Sequence, residues 1–365
     1  MDIKAAVVYE RGEPFVIRDV CLGEPKATEV LVRMVGCGIC HSDLFVRDHG
    51  PTEVPAVLGH EGAGVVERVG SAVTMVAPGE HVVFCSYSCG VCEACLSGHP
   101  AWCERSDDVN FGSVHADGTK RLADKDGAEL STFFGQSSFA TYVVADQRSV
   151  VSVDKSVDLA MLGPLGCGIQ TGAGSIINVL APKVGDTIAI FGCGSVGLSA
   201  LMAAKLCGCS TIIGVDVTTA RLDLARELGA THTINASETS DVAAEIMKIT
   251  NGRGLDFTFE TTAIESVLGA AVDSLRRGGA CGMVGTSGER VLGLKMQTIM
   301  GQSKKLVGIV QGDSIPWLFI PKIIGLYKDG KFPFDKLITY YSFEDINKAA
   351  DDSHSGVAIK PVIRF

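Results

Sequence analysis

The chain has 365 residues and a formal charge of −10, and 46% of its residues are hydrophobic. That length suits about two domains, and with no basic block the surface is a poor match for nucleic acid or an anionic membrane. The 13 cysteines are odd in number, and the opening MDIKAAVVYERGEPF has no apolar leader core; both point to a reducing, cytoplasmic setting with thiols rather than disulfides.

From Met1 to about Leu165 the chain is rich in short β-type runs: AAVVYE, EVLVRMVG, GAGVVERVG, HVVF and ATYVV, separated by Gly, Pro and Asp. They predict a mostly antiparallel, barrel-like domain with irregular loops. Within it lies CGVCEACLSGHPAWC, where Cys89, Cys92, Cys95 and Cys103 are spaced C-x2-C-x2-C-x7-C. Four thiolates on a short loop close a tetrahedron around zinc with no open position, so the site is structural. Disulfides compete for the same residues, but the compartment disfavours them. A C-x-x-C redox pair would not use four evenly clustered thiols. The lobe covers about residues 86–106.

Between Ile169 and Gln311, strand-like and helix-like segments alternate. TIAIFG, TIIGVD, THTIN, LDFTFETT, ACGMVG and KLVGIV are the strand candidates, and the alternation predicts a parallel, doubly wound sheet. The stretch IAIFGCGSVGLSALMAA is apolar enough to raise a membrane span, but Gly192, Gly194 and Gly197 interrupt it and Lys205 ends it. Those glycines form G-x-G-x-x-G directly after a strand, and Asp216 closes the next strand about twenty residues on. Gly192 permits a tight turn, Gly194 lets the backbone approach a pyrophosphate, and Gly197 lets helix and sheet pack closely. A carboxylate at 216 binds ribose hydroxyls and repels a 2′-phosphate, so NAD is expected over NADP; Arg221 tempers the preference.

The remainder, with WLFIPKIIGLYKDG, FEDINKAADDSH and a closing IKPVIRF, is too short for a domain and is expected to fold back on the first block. Residues 1–168 and 312–365 are therefore assigned to one domain, and 169–311 to a nucleotide-binding domain. The overall class is α/β.

A second set of metal-capable residues is scattered: Cys40 in GCGICHSDL, His60 and Glu61 in LGHEGAG, and Cys167 in GPLGCGIQTG. Taken singly, each reads as an ordinary core residue. In this order, together with the four-cysteine lobe and the glycine fingerprint, the motifs resemble those of the zinc-dependent medium-chain alcohol dehydrogenases. The likeness runs over the whole chain. Within that family, FFGQSSFATY, GPLGCGIQTGAG, GKFPFDKLI and AIKPV are similar to the aryl-alcohol (benzyl alcohol) dehydrogenases and the related allylic terpene alcohol dehydrogenases.

The resemblance implies a GroES-like catalytic domain beside a Rossmann domain, NAD, and two zinc ions per chain, one catalytic and one structural. It assigns Cys40, His60 and Cys167 to the catalytic zinc, with Glu61 approaching the metal during ligand exchange. Asp43 orients the histidine, and Ser42 hydrogen-bonds the substrate oxygen. Thr171 and Val196 press on the nicotinamide, and His41 and Lys360 sit near its pyrophosphate. Five residues after Cys40, where many members carry a proton-relay histidine, this chain has Phe45. The relay then ends on ribose and water or recruits another group such as His49, and Phe45 makes the site wall more apolar. Cys85 is expected near the substrate pocket beside Phe111 or Phe134. Cys193 is a candidate oxidation-sensitive thiol.

The implied reaction is oxidation of a primary aromatic or allylic alcohol to its aldehyde, in a homodimer or homotetramer joined at the sheet edge between ACGMVG and KLVGIV. Rivals are geraniol or perillyl alcohol oxidation, glutathione-dependent formaldehyde oxidation, polyol oxidation, and a non-catalytic NAD(H)-binding redox sensor.

Overall fold

The β-type runs of the first block pair as their alternating apolar residues require. The computed structural model describes residues 1–285, 291 and 293–365, and the chain divides into two units. One comprises residues 1–167, 315–328 and 334–365; the other comprises 168–314 and 329–333.

In the first unit, Asp2–Val8, Val16–Leu22, Leu122–Ala123, Glu129–Thr132 and Ala56–Val57 close a small barrel. A second sheet is built around the long strand Glu29–Gly38, which pairs with Glu61–Val69, Tyr142–Asp146 and the C-terminal Lys360–Arg364. The closing segment thus folds back onto the first block, with Val362 opposite Gly38. Gly38 is also opposite Glu61, so two strand ends and the middle of the C-terminal strand share one rung. At the far end of the same strand, Glu29 receives a bidentate pair from Arg121 (2.6 and 3.0 Å). Both side chains are almost fully buried, which anchors the segment leading into Leu122–Ala123.

The second unit is a six-stranded parallel sheet. Its order is His232–Asn235, Thr211–Asp216, Thr187–Phe191, Leu255–Glu260, Leu275–Met283, Lys305–Gly308, the doubly wound arrangement. The apolar glycine-interrupted stretch is the strand Thr187–Phe191 and the helix Ser195–Leu206. No helix among the described residues is long and apolar enough to cross a membrane. Lys305–Gly308 forms one edge of the sheet; of the stretch expected at the subunit contact, residues 286–290 and 292 lie outside the described residues.

Two local readings differ from the sequence expectation. The helix-like run SVLGAAVDSLRR is expected to reach Arg277, but Leu275–Arg277 begins the strand Leu275–Met283, because Ser274 caps the helix and Leu275 pairs with Leu255. Gly168–Gly174, unassigned above, is a helix that continues through widened turns over Ser175–Leu180.

Asp256 secures the middle of this sheet. Its carboxylate is buried and accepts from Thr187 N–H (3.0 Å), Thr187 Oγ1 (2.8 Å), Arg276 Nε (2.5 Å) and Arg253 Nη2 (2.8 Å). Burial alone would raise its pKa, but Arg276, Thr187 and Arg253 hold it down to about 2. A depressed carboxylate stabilises the fold above its unfolded pKa, and that stability drains away as pH falls through the folded value. D256N is expected to lower stability at neutral pH by about 2 kcal/mol. The gap from the parent should shrink between about pH 4 and pH 2, as read by urea denaturation across that range.

Candidate active site and nucleotide site

Cys40 precedes the helix His41–His49 and is its N-cap. Asp43, in the first turn of that helix, is completely buried. Its Oδ2 accepts the Cys40 N–H at 2.9 Å, and its Oδ1 accepts the Gly59 N–H at 3.1 Å and lies 2.8 Å from His60 Nδ1. The carboxylate therefore fixes the Nδ1–H tautomer and leaves Nε2 for a metal. Gly59 has φ +90°, and a Cβ there would sit 2.5 Å from the Phe139 nitrogen, so the turn that delivers His60 requires glycine.

His60 Nε2 lies 3.3 Å from Cys167 Sγ. The ligand atoms of Cys40, His60, Glu61 and Cys167 all fall within 4.8 Å of one another. Two thiols and an imidazole with a carboxylate behind them suit a three-ligand catalytic zinc. The Cys167 S–H hydrogen bond draws the Cys40 thiol well below its ordinary range against the cost of burial, and Lys360 adds to the pull. Cys167 is correspondingly held well above its range by Cys40 and by burial. Burial opposes a charge on His60, yet Asp43 outweighs it and the ring is raised.

Lys360, expected on the cofactor pyrophosphate, is instead occupied inside the site. Its buried Nζ lies 2.9 Å from both Glu61 oxygens and donates to the Ile39 carbonyl at 3.1 Å. The pairing of the C-terminal strand with Glu29–Gly38 brings it there. Burial raises Glu61 even against this ammonium.

On the other side of His60, Phe134 stacks on the ring at 4.5 Å and 26°, and Phe133 meets it edge-on at 5.4 Å. Phe111 packs on both phenylalanines. Ser42 is half-buried and His41 exposed at the helix start. Phe45, one turn on, packs against the barrel core and meets His49 edge-to-face at 6.1 Å. Cys85 is buried, its S–H donates to the Arg148 carbonyl at 3.8 Å, and burial pushes its pKa up to about 12.

The four sulfurs of the lobe likewise lie within 4.8 Å of one another. Against the cost of burial, the Val91 and Cys92 N–H groups draw Cys89 down to about 6, while burial drives Cys95 up to about 12. Four sulfurs so close cannot all ionise without a cation between them, and this donor set fits a closed zinc site. Sequence reasoning missed the strap that holds the lobe. Arg148 Nε donates to the Ser88 carbonyl at 2.6 Å and its guanidinium lies 5.0 Å from the Trp317 ring; no motif marks it.

In the second unit Gly192 has φ +93°, and a Cβ on Gly197 would sit 1.8 Å from the Gly192 carbonyl. A Cβ on Gly194 would meet nothing; open space at the start of the helix Ser195–Leu206 fits a pyrophosphate. Asp216 accepts the Cys193 N–H at 2.7 Å and the Thr218 N–H at 2.9 Å, with Arg221 Nη1 3.8 Å away. The helix that carries Thr171 approaches the Val196 carbonyl at the next residue, Gly172, where a Cβ would sit 2.0 Å from that oxygen. Cys193 is fully buried, with its pKa raised to about 12 by burial and by Asp216, which makes it a poor redox sensor.

D43N removes the charge that holds His60 in its tautomer. It is expected to weaken catalytic-site zinc about 10- to 100-fold and leave lobe zinc unchanged, as measured by competition with a chromogenic chelator.

Residues 26–155 match the alcohol dehydrogenase GroES-like domain, and residues 195–322 match the zinc-binding dehydrogenase domain. The chain is 42% identical to the geraniol dehydrogenase of Castellaniella defragrans over 364 residues, 99% of this chain and 97% of that protein. Its fold matches an alcohol dehydrogenase zinc-binding domain protein from Burkholderia ambifaria with TM-score 0.97 and 46% identity, covering 100% of this chain and 99% of the other. It matches the benzyl alcohol dehydrogenase of Acinetobacter calcoaceticus with TM-score 0.96 and 42% identity, at the same coverage. The two donor sets are accordingly a catalytic and a structural zinc site, and the Rossmann unit binds NAD. The chain belongs to the zinc-dependent medium-chain alcohol dehydrogenases.

Proposed function

We propose that this protein interconverts a primary aromatic or allylic alcohol and its aldehyde: R–CH2OH + NAD⁺ ⇌ R–CHO + NADH + H⁺. The observation that carries the reading is the ring wall against His60, made by Phe134, Phe133 and Phe111. Such a wall suits a flat conjugated substrate, and conjugation of the forming carbonyl eases loss of hydride from a benzylic or allylic carbon. The similarity to a geraniol and to a benzyl alcohol dehydrogenase supports the same class.

Zinc held by Cys40, His60 and Cys167 supplies Lewis acidity toward the alcohol oxygen, and NAD supplies the hydride acceptor. Ser42 takes the alcohol proton. Phe45 offers no imidazole to carry that proton on, so it passes to water, with the exposed His49 as a recipient on the next turn. Asp43 keeps His60 from rotating or changing tautomer. Glu61, balanced by Lys360, stands behind the ligands as an exchange partner. In the Rossmann unit, Gly192, Gly194 and Gly197 line the phosphate turn, Asp216 and Arg221 meet the ribose, and Thr171 and Val196 back the nicotinamide.

Zinc-replete protein with NAD⁺ should turn over benzyl alcohol, cinnamyl alcohol or geraniol far better than ethanol, sorbitol or hydroxymethylglutathione. Turnover mainly of hydroxymethylglutathione would replace the reading with glutathione-dependent formaldehyde oxidation, and tight NADH binding without turnover would favour the sensor. S42A should lower kcat/KM by about 10²- to 10⁴-fold with zinc content unchanged. D216S should shift preference toward NADP by about tenfold or more, read from the ratio of kcat/KM for the two cofactors.

A further inference from the structure

Asn110 ends the short helix Ser106–Asn110, just beyond the last lobe cysteine. It is 1% exposed, and its amide makes three of the four hydrogen bonds open to it, both donors being used. Oδ1 accepts the Tyr87 N–H at 2.9 Å. Nδ2 donates to the Tyr87 carbonyl at 3.3 Å and to Ser106 Oγ at 2.9 Å. Both partners belong to the lobe's roots: Tyr87 stands two residues before Cys89, and the Ser106 N–H donates to the Cys103 carbonyl at 2.9 Å. The Asn110 backbone carbonyl turns the other way and accepts the Phe134 N–H at 2.9 Å.

Phe134 has φ +53°. A residue with a Cβ holds that left-handed conformation only where its surroundings enforce it. The ring so placed is the one stacked on His60. Asp43 holds the edge of that imidazole, and Phe134 covers its face.

We infer that Asn110 is a positioning residue, which fixes the Phe134 ring on the catalytic ligand His60 to the backbone of the four-cysteine lobe. The consequence is that the shape of the wall facing the substrate depends on a lobe that never touches substrate. The selectivity half of this inference rests on the proposed aromatic or allylic substrate; the ligand-geometry half does not.

The test compares zinc-replete wild type, N110A, F134A and the double variant. Zinc content, kcat and KM for benzyl alcohol and ethanol, and the visible bands of the cobalt-exchanged protein are measured. N110A is expected to keep both zinc ions and to raise KM for benzyl alcohol about tenfold while kcat changes little. Ethanol should be nearly unaffected, and the double variant no worse than F134A alone. Additive losses, or a fall in kcat with the two KM values in their original ratio, would overturn the inference and leave Asn110 a plain structural residue. Should N110A not fold, S106A removes a single bond and is expected to move the benzyl alcohol KM in the same direction, about threefold; an unmoved KM would overturn the inference. If wild type turns over neither alcohol, the substrate reading fails and the cobalt bands decide: a shift shared by N110A and F134A supports the inference, and unshifted bands in N110A refute it.

Discussion

A single buried carboxylate organises the catalytic unit. Asp43 has no access to solvent, and a charge so placed costs several kcal/mol unless partners surround it. It has three: the Cys40 N–H, the Gly59 N–H and His60 Nδ1. The first holds one metal ligand's backbone, the second the turn before another ligand, and the third that ligand's ring. Each of these partners would be unsatisfied or free to rotate without the carboxylate. The strands serve the same convergence, since Gly38 and Glu61 are opposed across one ladder and the last strand adds Lys360 beside Ile39.

The surroundings of the ligands follow from charge. Asp43, Glu61 and two potential thiolates occupy one buried region, and Lys360 is the permanent cation among them. Against the cost of burial Asp43 pushes His60 up, and Cys40 and burial push Cys167 up. Zinc takes its ligands as thiolate and neutral imidazole, so binding releases protons and metal affinity falls as pH falls.

Contiguous features were legible in the sequence. The four cysteines of the lobe and the three glycines of the fingerprint act over short spans, and their backbone roles follow from local geometry. Alternation of strands and helices was enough for the Rossmann sheet, apart from Leu275–Arg277, where strand pairing overrode helical pattern. Cys40, His60 and Cys167 were joined only through family resemblance, because their meeting depends on the register between Gly38 and Glu61. Lys360 was misplaced for the same reason: its partner Glu61 is 299 residues away in the chain. Asn110 and Arg148 left no signal, since each acts largely by bonding backbone carbonyls and amides that any residue possesses.

The lobe and the catalytic site differ in what holds them. Around the four cysteines there is little apolar burial: Val91 and Leu96 are 76% and 74% exposed, and Trp102 is 56% exposed. At roughly 25 cal/mol per Å2 of apolar surface, such a segment cannot offset the entropy of ordering its own backbone. Its conformation is therefore set by the metal, with Arg148 fastening its first root at Ser88 and Asn110 tying that root, at Tyr87, to the second at Ser106. The catalytic ligands have more around them. Cys40 caps a helix, His60 precedes the strand Glu61–Val69, and Cys167 lies between two helical segments. One donor set lies in a lobe with little core of its own, and the other among side chains that a buried carboxylate and a packed core hold.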